Sequence, residues 1–471
     1  MILTSPVFLL FVFVLLLAYR FIAQRWRKFV LLAGSLLFLL TWNYWSVLAL
    51  VFLSALNFHA ARYLHSRNGK FLQVSLILFN SLAILLVNFL TAGYRDHRLT
   101  QVAFETMPLL MAIGLSFYSL QHIAYLVDVR NNRVEAEKDF GEFLLITSYF
   151  PKVLAGPLML YQDMKMQLHY RSASPQQVVS GFNRMLLGFF RKMVLADRLA
   201  PSVSSIFDFN DDLPGLTIFC GAVIFTFQLY FDFAGYCDIA IGVSRMFGID
   251  LRENFYFPFR STSVTIFWRR WHRSLIRFFT SYIFFPITFK YRRFEQHAAA
   301  IGIAVTFLIS GLWHGIGFTF MMWAICHMVY LLAELYLLGS PSERQTSRKP
   351  YKLLYSFIVL LAVSFSHLFF RSTGYHQCIA LLKKVFTPAS FLPGEWAAGF
   401  FAPIAVGGHQ ADYFNLAVTF ILGTLFLFAE RRIMQRFNEP VLRPWLVVVT
   451  FTLILISGIF GSGERFIYMQ F

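Results

Sequence analysis

The sequence predicts an all-α integral membrane protein that crosses the membrane many times. Of its 471 residues, 58% are hydrophobic and 14% are charged, whereas a soluble domain carries about 25% charged residues. Apolar runs of membrane-spanning length recur from one end of the chain to the other. Such an excess of apolar surface has to contact lipid rather than water.

The apolar runs define the predicted membrane segments. They fall at residues 2–19, 28–57, 71–92, 103–126, 142–160, 178–195, 215–231, 274–289, 299–338, 352–370, 414–430 and 445–461, and two of them, 28–57 and 299–338, are long enough for two segments each. A span needs roughly 20 residues, so we predict about 11 to 13 transmembrane or re-entrant helices. Residues 1–19 are predicted to be a retained first helix with a basic cytoplasmic flank rather than a signal peptide.

Positive charge is concentrated beside these segments. The net charge is +17, and basic stretches lie at 62–70, 191–198, 269–277, 290–293, 344–352 and 431–436. Cytoplasmic loops that contact anionic lipid explain this pattern better than nucleic-acid binding. The four cysteines are scattered without paired spacing, so neither a disulfide framework nor a zinc site is expected. We predict a single membrane domain over 1–471.

His314 is the first candidate for chemistry. It lies in ISGLWHGIGFTF, far from any charged residue, and an ionisable group inside a membrane usually marks function. A neutral imidazole there can act as a base. Gly311, Gly315 and Gly317 permit close backbone approach or a broken helix. The alternative is a core histidine that bonds to a carbonyl group, beside glycines that pack helices.

His272 is the second candidate, in TIFWRRWHRSLIRFF. An aromatic and basic cluster surrounds it, formed by Trp268, Arg269, Arg270, Trp271, Arg273 and Arg277. Such a cluster suits an anionic ligand, for example the phosphates of a pantetheine-type donor. It equally suits an interfacial helix with snorkelling arginines.

Carboxylates form a third group, in FQLYFDFAGYCDIAIG. Asp232 and Asp238 are six residues apart and do not share a helical face, so a paired acid/base or metal site is not favoured. We predict a bend at Gly235 and an ion pair between one of these carboxylates and an arginine near His272.

Other signals narrow the chemistry further. Asn254, in RENFYFPFRSTSVTIF, is predicted to bond an acyl donor, orient a histidine or cap a helix. The sequence contains no GxSxG, Walker, HExxH or strand-flanked GxGxxG motif. Any catalysis therefore has to use the buried groups above.

Seven stretches, in order, resemble the membrane-bound O-acyltransferase family, and most closely its bacterial alginate O-acetylation and teichoic-acid D-alanylation branch. They are GLSFYSLQHIAYLVDV (114–129), YFPKVLAGPLM (149–159), YFDFAGYCDIAIGVSRMFGIDLRENFYFPF (230–259), FWRRWHRSL (267–275), GLWHG (311–315), LFFRS (368–372) and FIYMQF (466–471). The resemblance implies a ring of helices around a central funnel, with a catalytic core at about 114–335.

The resemblance also implies roles for residues. His314 matches the presumed catalytic base and His272 the second essential histidine. Donor or substrate contacts are expected from six residues, Asp238, Asn254, Arg269, Arg270, Trp271 and Trp313. A further family histidine matches His327. After FWRRWHRSL the family usually continues RDYLYIPLGGNR, whereas this chain has RFFTSYIFFPITFKYRRF, which bears on partner or donor contact more than on chemistry.

The resemblance predicts transfer of an acetyl group from a cytoplasmic thioester, acetyl-CoA, across the bacterial inner membrane. The acceptor would be a periplasmic SGNH-type acetyltransferase or a polysaccharide hydroxyl group. Two alternatives stay open, D-alanyl transfer from a carrier protein and a non-enzymatic transporter. A transporter usually has repeated halves, and the sequence contains no repeat of this kind.

Overall fold

The computed structural model describes residues 1–66, 70–95, 114–168, 170, 172–208, 213–337, 349–388, 405–406, 409–410, 413–439, 441, 443–459 and 467. Helices dominate this part of the chain, as predicted. Three predicted features lie wholly or largely outside the described residues: the beginning of the apolar run 103–126, most of the basic stretch 344–352 and the terminal motif 466–471.

The helices of the first half are α1 Pro6–Phe21, α2 Arg27–Leu40, α3 Tyr44–Ser66, α4 Lys70–Arg95, α5 Leu115–Arg130, α6 Phe140–Ser148, α7 Tyr161–Lys165, α8 Pro175–Phe189 and α9 Asp197–Asp208. Those of the second half are α10 Gly215–Met246, α11 Val264–Arg270, α12 Arg273–Phe279, α13 Phe285–Lys290, α14 Gln296–His314, α15 Phe318–Leu337, α16 Lys349–Arg371, α17 Tyr375–Val385, α18 Tyr413–Asn438 and α19 Pro444–Ser457. Short 3₁₀ turns (Gln24–Trp26, Pro258–Arg260, Arg292–Phe294) and π-helical segments (Phe190–Ala196, Thr280–Phe284) join or extend them. Two strands of two residues, Ala405–Val406 and His409–Gln410, pair antiparallel.

Several helices begin where the sequence supplies a cap. The Ser5 side chain accepts from the Phe8 N–H, and Pro6 opens α1 without needing a hydrogen-bond donor. Helix α8 begins with a capping box, in which Ser174 and Gln177 each bond to the other's backbone N–H.

Six described helices are long and apolar enough to cross a membrane: Tyr44–Leu64, Phe71–Phe89, Gly215–Met246, Gln296–His314, Phe318–Leu337 and Tyr351–Arg371. The shorter helices α1 and α19 are also apolar. The multi-pass prediction is thereby confirmed, whereas the total of 11 to 13 transmembrane or re-entrant segments stays a prediction.

Helix α10 forms the centre of the molecule, and 72% of its most apolar window is buried. It packs closely along α8 because glycines face each other at two levels. A Cβ on Gly242 would lie 2.5 Å from the carbonyl oxygen of Gly181, and one on Gly235 would lie 2.9 Å from that of Gly188. Small residues let helix backbones approach in this way. Helix α10 continues without a break through Gly235, which serves the helix contact, and the bend predicted there stays a prediction.

The predicted segment 142–160 is helical only as far as Ser148. Residues 149–160 form a buried irregular segment whose backbone groups are bonded by side chains. Ser35 Oγ accepts from the Phe150 N–H at 3.1 Å, and Ser274 Oγ accepts from the Leu158 N–H at 2.9 Å. The Gln121 amide donates to the Met159 carbonyl at 3.1 Å. Irregular backbone at membrane depth requires internal partners of this kind.

A pair of histidines in one cavity

His272 occupies the junction between α11 and α12. Its backbone is left-handed, with φ 43°, and its side chain is 1% exposed. A non-glycine residue in this conformation is held there by its surroundings. The Arg273 N–H donates to the Asn254 carbonyl at 2.8 Å, and the Tyr256 N–H donates to the Arg270 carbonyl at 2.9 Å. These two bonds fasten the junction to the segment that carries Asn254.

The Asn254 side chain fixes the tautomer of His272. Its Oδ1 accepts from the Ser274 N–H at 3.1 Å and from the Ser274 hydroxyl at 2.8 Å. A backbone N–H can only donate, so this oxygen is an acceptor, and His272 Nδ1, 3.3 Å away, has to carry the proton. In the neutral imidazole Nε2 then holds the lone pair. The predicted role of Asn254 in orienting a histidine matches this geometry.

His314 is the last residue of α14 and is 6% exposed. Its ring lies edge-on to Trp323, with 4.8 Å between ring centroids, and to Phe370, with 5.4 Å. A Cβ on Gly311 would lie 2.8 Å from that of Ala324. The close backbone approach predicted for Gly311 is therefore present, and it brings α14 against α15.

Both histidines line one narrow, mostly apolar cavity. The remaining lining residues are Trp268, Trp271, Leu275, Ile276, Phe279, Thr306, Phe307 and Ser310. His272 and His314, which are 42 positions apart in the sequence, thus meet where little water can enter. Among the described residues no group of three or more His, Cys, Asp or Glu side chains could hold a metal ion.

The two tryptophans of the site have structural neighbours as well. Trp271 stacks on Phe267 at 5.4 Å and meets Phe255 edge-on at 5.1 Å. Trp313 lies edge-on to Phe117 at 5.6 Å. Trp271 lines the cavity, whereas Trp313 is not among its lining residues and contacts the His314 ring edge-on at 4.8 Å.

The arginines near His272 lie outside the cavity. Arg269 and Arg273 are exposed. Arg270 donates to the Arg260 carbonyl at 2.9 Å, and Arg277 pairs with Asp163. The structure thus brings the two histidines together and places the basic cluster at the surface.

An open cleft lies beside this basic cluster. Its lining includes Tyr256, Phe257 and Arg431. Arg273 lies over the Tyr256 ring at 5.8 Å, and Arg260 over the Phe257 ring at 5.9 Å. Arg431 therefore lines the cleft, and the other two arginines contact rings that line it. A buried pocket shares Phe255, Phe257, Glu253 and Met434 with the cleft and reaches Asn254.

Asp238 belongs to a buried ion network. Arg184 Nη2 lies 2.7 Å from Asp238 Oδ1, and Arg191 Nη1 lies 2.6 Å from Oδ2. Arg184 also bonds to Glu253 and Arg191 to Glu430. An ion pair was predicted here, but its expected partner was wrong: the cations come from α8 and the π-helical segment, not from the cluster near His272.

Asp232 has a similar arrangement. Lys192 Nζ lies 2.6 Å from Asp232 Oδ1 and 2.7 Å from Asp197 Oδ1. Arg191 and Lys192 are each 2% exposed, so this part of the basic stretch 191–198 is not a cytoplasmic loop. Its place beside an apolar run was the misleading signal, because a buried cation with acidic partners leaves the same pattern.

Sequence reasoning also missed His367 and Glu334, both of which lie in long apolar helices. His367 Nδ1 lies 2.8 Å from Thr226 Oγ1, and Glu334 bonds to the start of α11. Their position inside apolar runs was a usable signal, since ionisable groups there face the protein interior.

Comparison with known proteins agrees with this architecture. The membrane-bound O-acyltransferase family matches residues 35–370. The chain is similar to the probable alginate O-acetylase AlgI of Pseudomonas putida, with 30% identity over 84% of this chain and 81% of that protein. The probable alginate O-acetylase AlgI of Azotobacter vinelandii is 33% identical over 55% of this chain. The match spans about half, 51%, of the length of that relative.

Relatives with other printed activities also match. The peptidoglycan O-acetyltransferase of Helicobacter pylori is 29% identical over 76% of this chain and 73% of its own length. The teichoic acid D-alanyltransferase of Bacillus subtilis is 25% identical over 47% of this chain and 58% of its own length. With the family match over most of its length, this chain belongs to the membrane-bound O-acyltransferase family.

Proposed function

We propose that this protein transfers an acetyl group from a cytoplasmic thioester to a hydroxyl group that serves a polysaccharide of the cell envelope. The observation that carries the proposal is the shared cavity of His272 and His314. Two imidazoles in an enclosed, largely apolar space suit acyl transfer, since one can remove a proton while the other binds the donor or its carbonyl oxygen.

The proposed reaction is a direct transfer of the acetyl group from sulfur to oxygen. The acceptor oxygen attacks the thioester carbonyl carbon while His314 takes the hydroxyl proton. A C–O bond forms, the C–S bond breaks, and the proton passes from His314 to the departing thiolate. No oxidant or further reactant is needed. His272, held by Asn254, orients the donor or shares this proton traffic through Nε2.

Acetyl-CoA is the donor that the cleft suits. Its phosphates carry negative charge. Arg431 lines the open cleft, and Arg260 and Arg273 lie over two aromatic rings of its lining. Guanidinium groups bind phosphate through paired N–H donors. The pocket behind the cleft is lined in part by Asn254, which contacts His272, and the thioester arm would extend toward the histidines from this side.

The arginines at and near the open cleft support an orientation in the bacterial inner membrane. Helices α10 and α18 end together there, with Arg245 Nη1 donating to Asn438 Oδ1 at 3.1 Å. Basic residues are retained on the cytoplasmic side, so the arginine-bordered cleft would open to the cytoplasm. The acceptor would then be met from the opposite side.

Two acceptors suit this arrangement: a polysaccharide hydroxyl group and the serine of a periplasmic SGNH-type acetyltransferase that completes the transfer. The alginate and peptidoglycan acetyltransferases among the relatives support a cell-envelope polymer as the final product. The D-alanyltransferase of Bacillus subtilis supports one competing donor, a D-alanyl carrier protein.

The test supplies both donors to purified protein in nanodiscs. Acetyl-CoA and D-alanyl carrier protein are offered separately, each with polysaccharide acceptor, and thiol release is followed. Thiol release from acetyl-CoA that rises with added acceptor is the expected result. Release from the D-alanyl carrier alone would replace acetyl by D-alanyl transfer. No release from either donor, with folded protein confirmed by its melting transition, would overturn the proposal.

A further inference from the structure

Helix α15 touches both segments that carry the histidines of the cavity. Trp323 meets the His314 ring at 4.8 Å, and Ala324 fills the space beside Gly311. About one turn and about three turns further along, at His327 and Glu334, the same helix reaches α11, which precedes His272. This helix therefore links the two halves of the site.

Glu334 holds the start of α11. The Glu334 side chain is 6% exposed, and its Oε1 accepts from the Val264 N–H at 2.6 Å. Its Oε2 accepts from the Thr265 N–H at 2.9 Å and from the Thr265 hydroxyl at 2.8 Å. The first N–H groups of a helix have no partner within the helix, and a carboxylate there also interacts favourably with the helix dipole.

His327 holds Trp268, the residue one turn further along α11. Trp268 Nε1 lies 3.3 Å from His327 Nδ1, and His327 Nε2 lies 2.9 Å from Ser366 Oγ. An indole N–H can only donate, so Nδ1 accepts and Nε2 carries the proton. Ser366 Oγ then accepts from Nε2, and its hydroxyl donates to the Val363 carbonyl oxygen at 2.7 Å. Both ring nitrogens of His327 are committed to structural bonds.

His327 and Glu334 contact the same short helix, α11. His327 and Glu334 are two helical turns apart on α15, and their targets Trp268 and Val264 are one turn apart on α11. Trp268 lines the cavity together with His272. A displacement of α11 would therefore move both the cavity wall and the histidine that follows it.

We propose that His327 and Glu334 are positioning residues, which brace α11 so that His272 faces His314 across the cavity. His327 takes no part in proton transfer. The inference rests on the proposed function because its main readout is acyl transfer, but the bond it requires, from Trp268 to His327, can be measured without activity.

The decisive variant is His327→Gln, compared with His327→Leu. A glutamine can accept from Trp268 through Oε1 and donate to Ser366 through Nε2, whereas leucine can do neither. We expect His327→Gln to keep kcat within about threefold of wild type and His327→Leu to lower it at least about tenfold, with the KM for acetyl-CoA unchanged, since small misplacements of reacting groups cost up to about 100-fold.

A double variant tests whether His327 affects kcat through Trp268. Trp268→Phe removes the indole donor and keeps an aromatic ring. If His327 acts through Trp268, the double variant His327→Leu with Trp268→Phe loses no more than the worse single variant. Additive losses would contradict the inference. Glu334→Gln should lower kcat as well, while the exposed Glu135→Gln should leave it unchanged.

The second readout is ultraviolet resonance Raman scattering of the indole N–H. The difference between wild type and Trp268→Phe isolates Trp268. We expect a hydrogen-bonded indole that persists in His327→Gln and is lost in His327→Leu, whether or not acetyl-CoA is the donor. A free indole in wild type, or a His327→Gln variant as inactive as His327→Leu, would overturn the inference.

Discussion

Asn254 Oδ1 lies 3.3 Å from His272 Nδ1 and accepts at the same time from the backbone and hydroxyl of Ser274. One amide oxygen thus fixes the imidazole tautomer and the start of α12. The Asn254 amide nitrogen donates to Cys237 Sγ at 3.3 Å, but a thiol sulfur is a weak acceptor, so the contacts of Oδ1 do most to hold the amide. The orientation of His272 depends on this asparagine.

Asn254→Ala should therefore lower kcat at least about 100-fold, the lower range for loss of acid–base catalysis. The alanine leaves His272 free to rotate and to exchange tautomers. Acetyl-CoA turnover by purified protein measures the effect. Cys237→Ala, which removes only the thiol behind the amide, is the matched control and should stay near wild type. Equal turnover by Asn254→Ala and wild type would contradict the assigned role.

Asp238→Asn should destabilise the fold rather than weaken donor binding. The substitution removes the carboxylate shared by Arg184 and Arg191, each at most 2% exposed, and breaking a buried ion pair costs about 3–5 kcal/mol. We expect a lower melting temperature and a lower yield of folded protein. Asp250→Asn is the control, because the Asp250 side chain is 56% exposed in its pair with Arg245. A raised KM at unchanged stability would instead support Asp238 as a donor contact.

Close packing of α8 on α10 predicts that Gly242→Val prevents folding. Its Cβ would lie 2.5 Å from the Gly181 carbonyl oxygen and 2.5 Å from the Met185 nitrogen, and neither backbone atom can move aside cheaply. Gly317→Ala has no neighbour within 4 Å and should be tolerated. Yields of monodisperse protein from detergent extracts compare the two, and a normal yield of Gly242→Val would show that α8 and α10 separate easily.

The hydrogen bonds and ion pair of Glu137 should make an acid-sensitive contribution to the stability of the fold. Burial alone would raise the pKa of its carboxyl, but bonds from the Asp139 and Lys138 N–H groups, Lys165 and Tyr161 outweigh burial and lower that pKa to about 2. The folded pKa lies below the ordinary value of 4.5, so this stabilisation is complete above about pH 4.5 and is lost as the pH falls toward 2.

Melting temperatures from pH 7 down to pH 3 check this. Glu137→Gln should melt below wild type at pH 7, and the difference should shrink below pH 4.5. The exposed Glu135→Gln should follow wild type throughout. A constant difference between Glu137→Gln and wild type at all pH values would mean that ionisation of Glu137 contributes nothing.

Local patterns in the sequence were sufficient to predict the helical, multi-pass class. Apolar runs correspond to α14 and α15. Ordered motifs pointed to His272 and His314, which line one cavity, and to Asn254, which contacts His272. Runs of residues report solvent and lipid exposure, so such properties are visible without a structure.

Contacts between residues that are far apart in the sequence could not be predicted from local patterns. Arg191 bonds to Glu430, which is 239 positions away, and nothing local in 191–198 distinguishes a buried cation from a loop cation. The same holds for α15, whose His327 and Glu334 serve α11. Gly235 is a related case, since a glycine can serve close helix packing as well as a kink, and its contact with the Gly188 carbonyl group depends on the neighbouring helix.

The most direct test of the account is thiol release from acetyl-CoA by wild type, His314→Ala and His376→Ala in nanodiscs, at matched protein amounts and melting temperatures. His376 is exposed and serves as the control histidine. We predict turnover by wild type and His376→Ala and none by His314→Ala. Turnover by His314→Ala equal to that of wild type would contradict the central claim that His314 is the catalytic base.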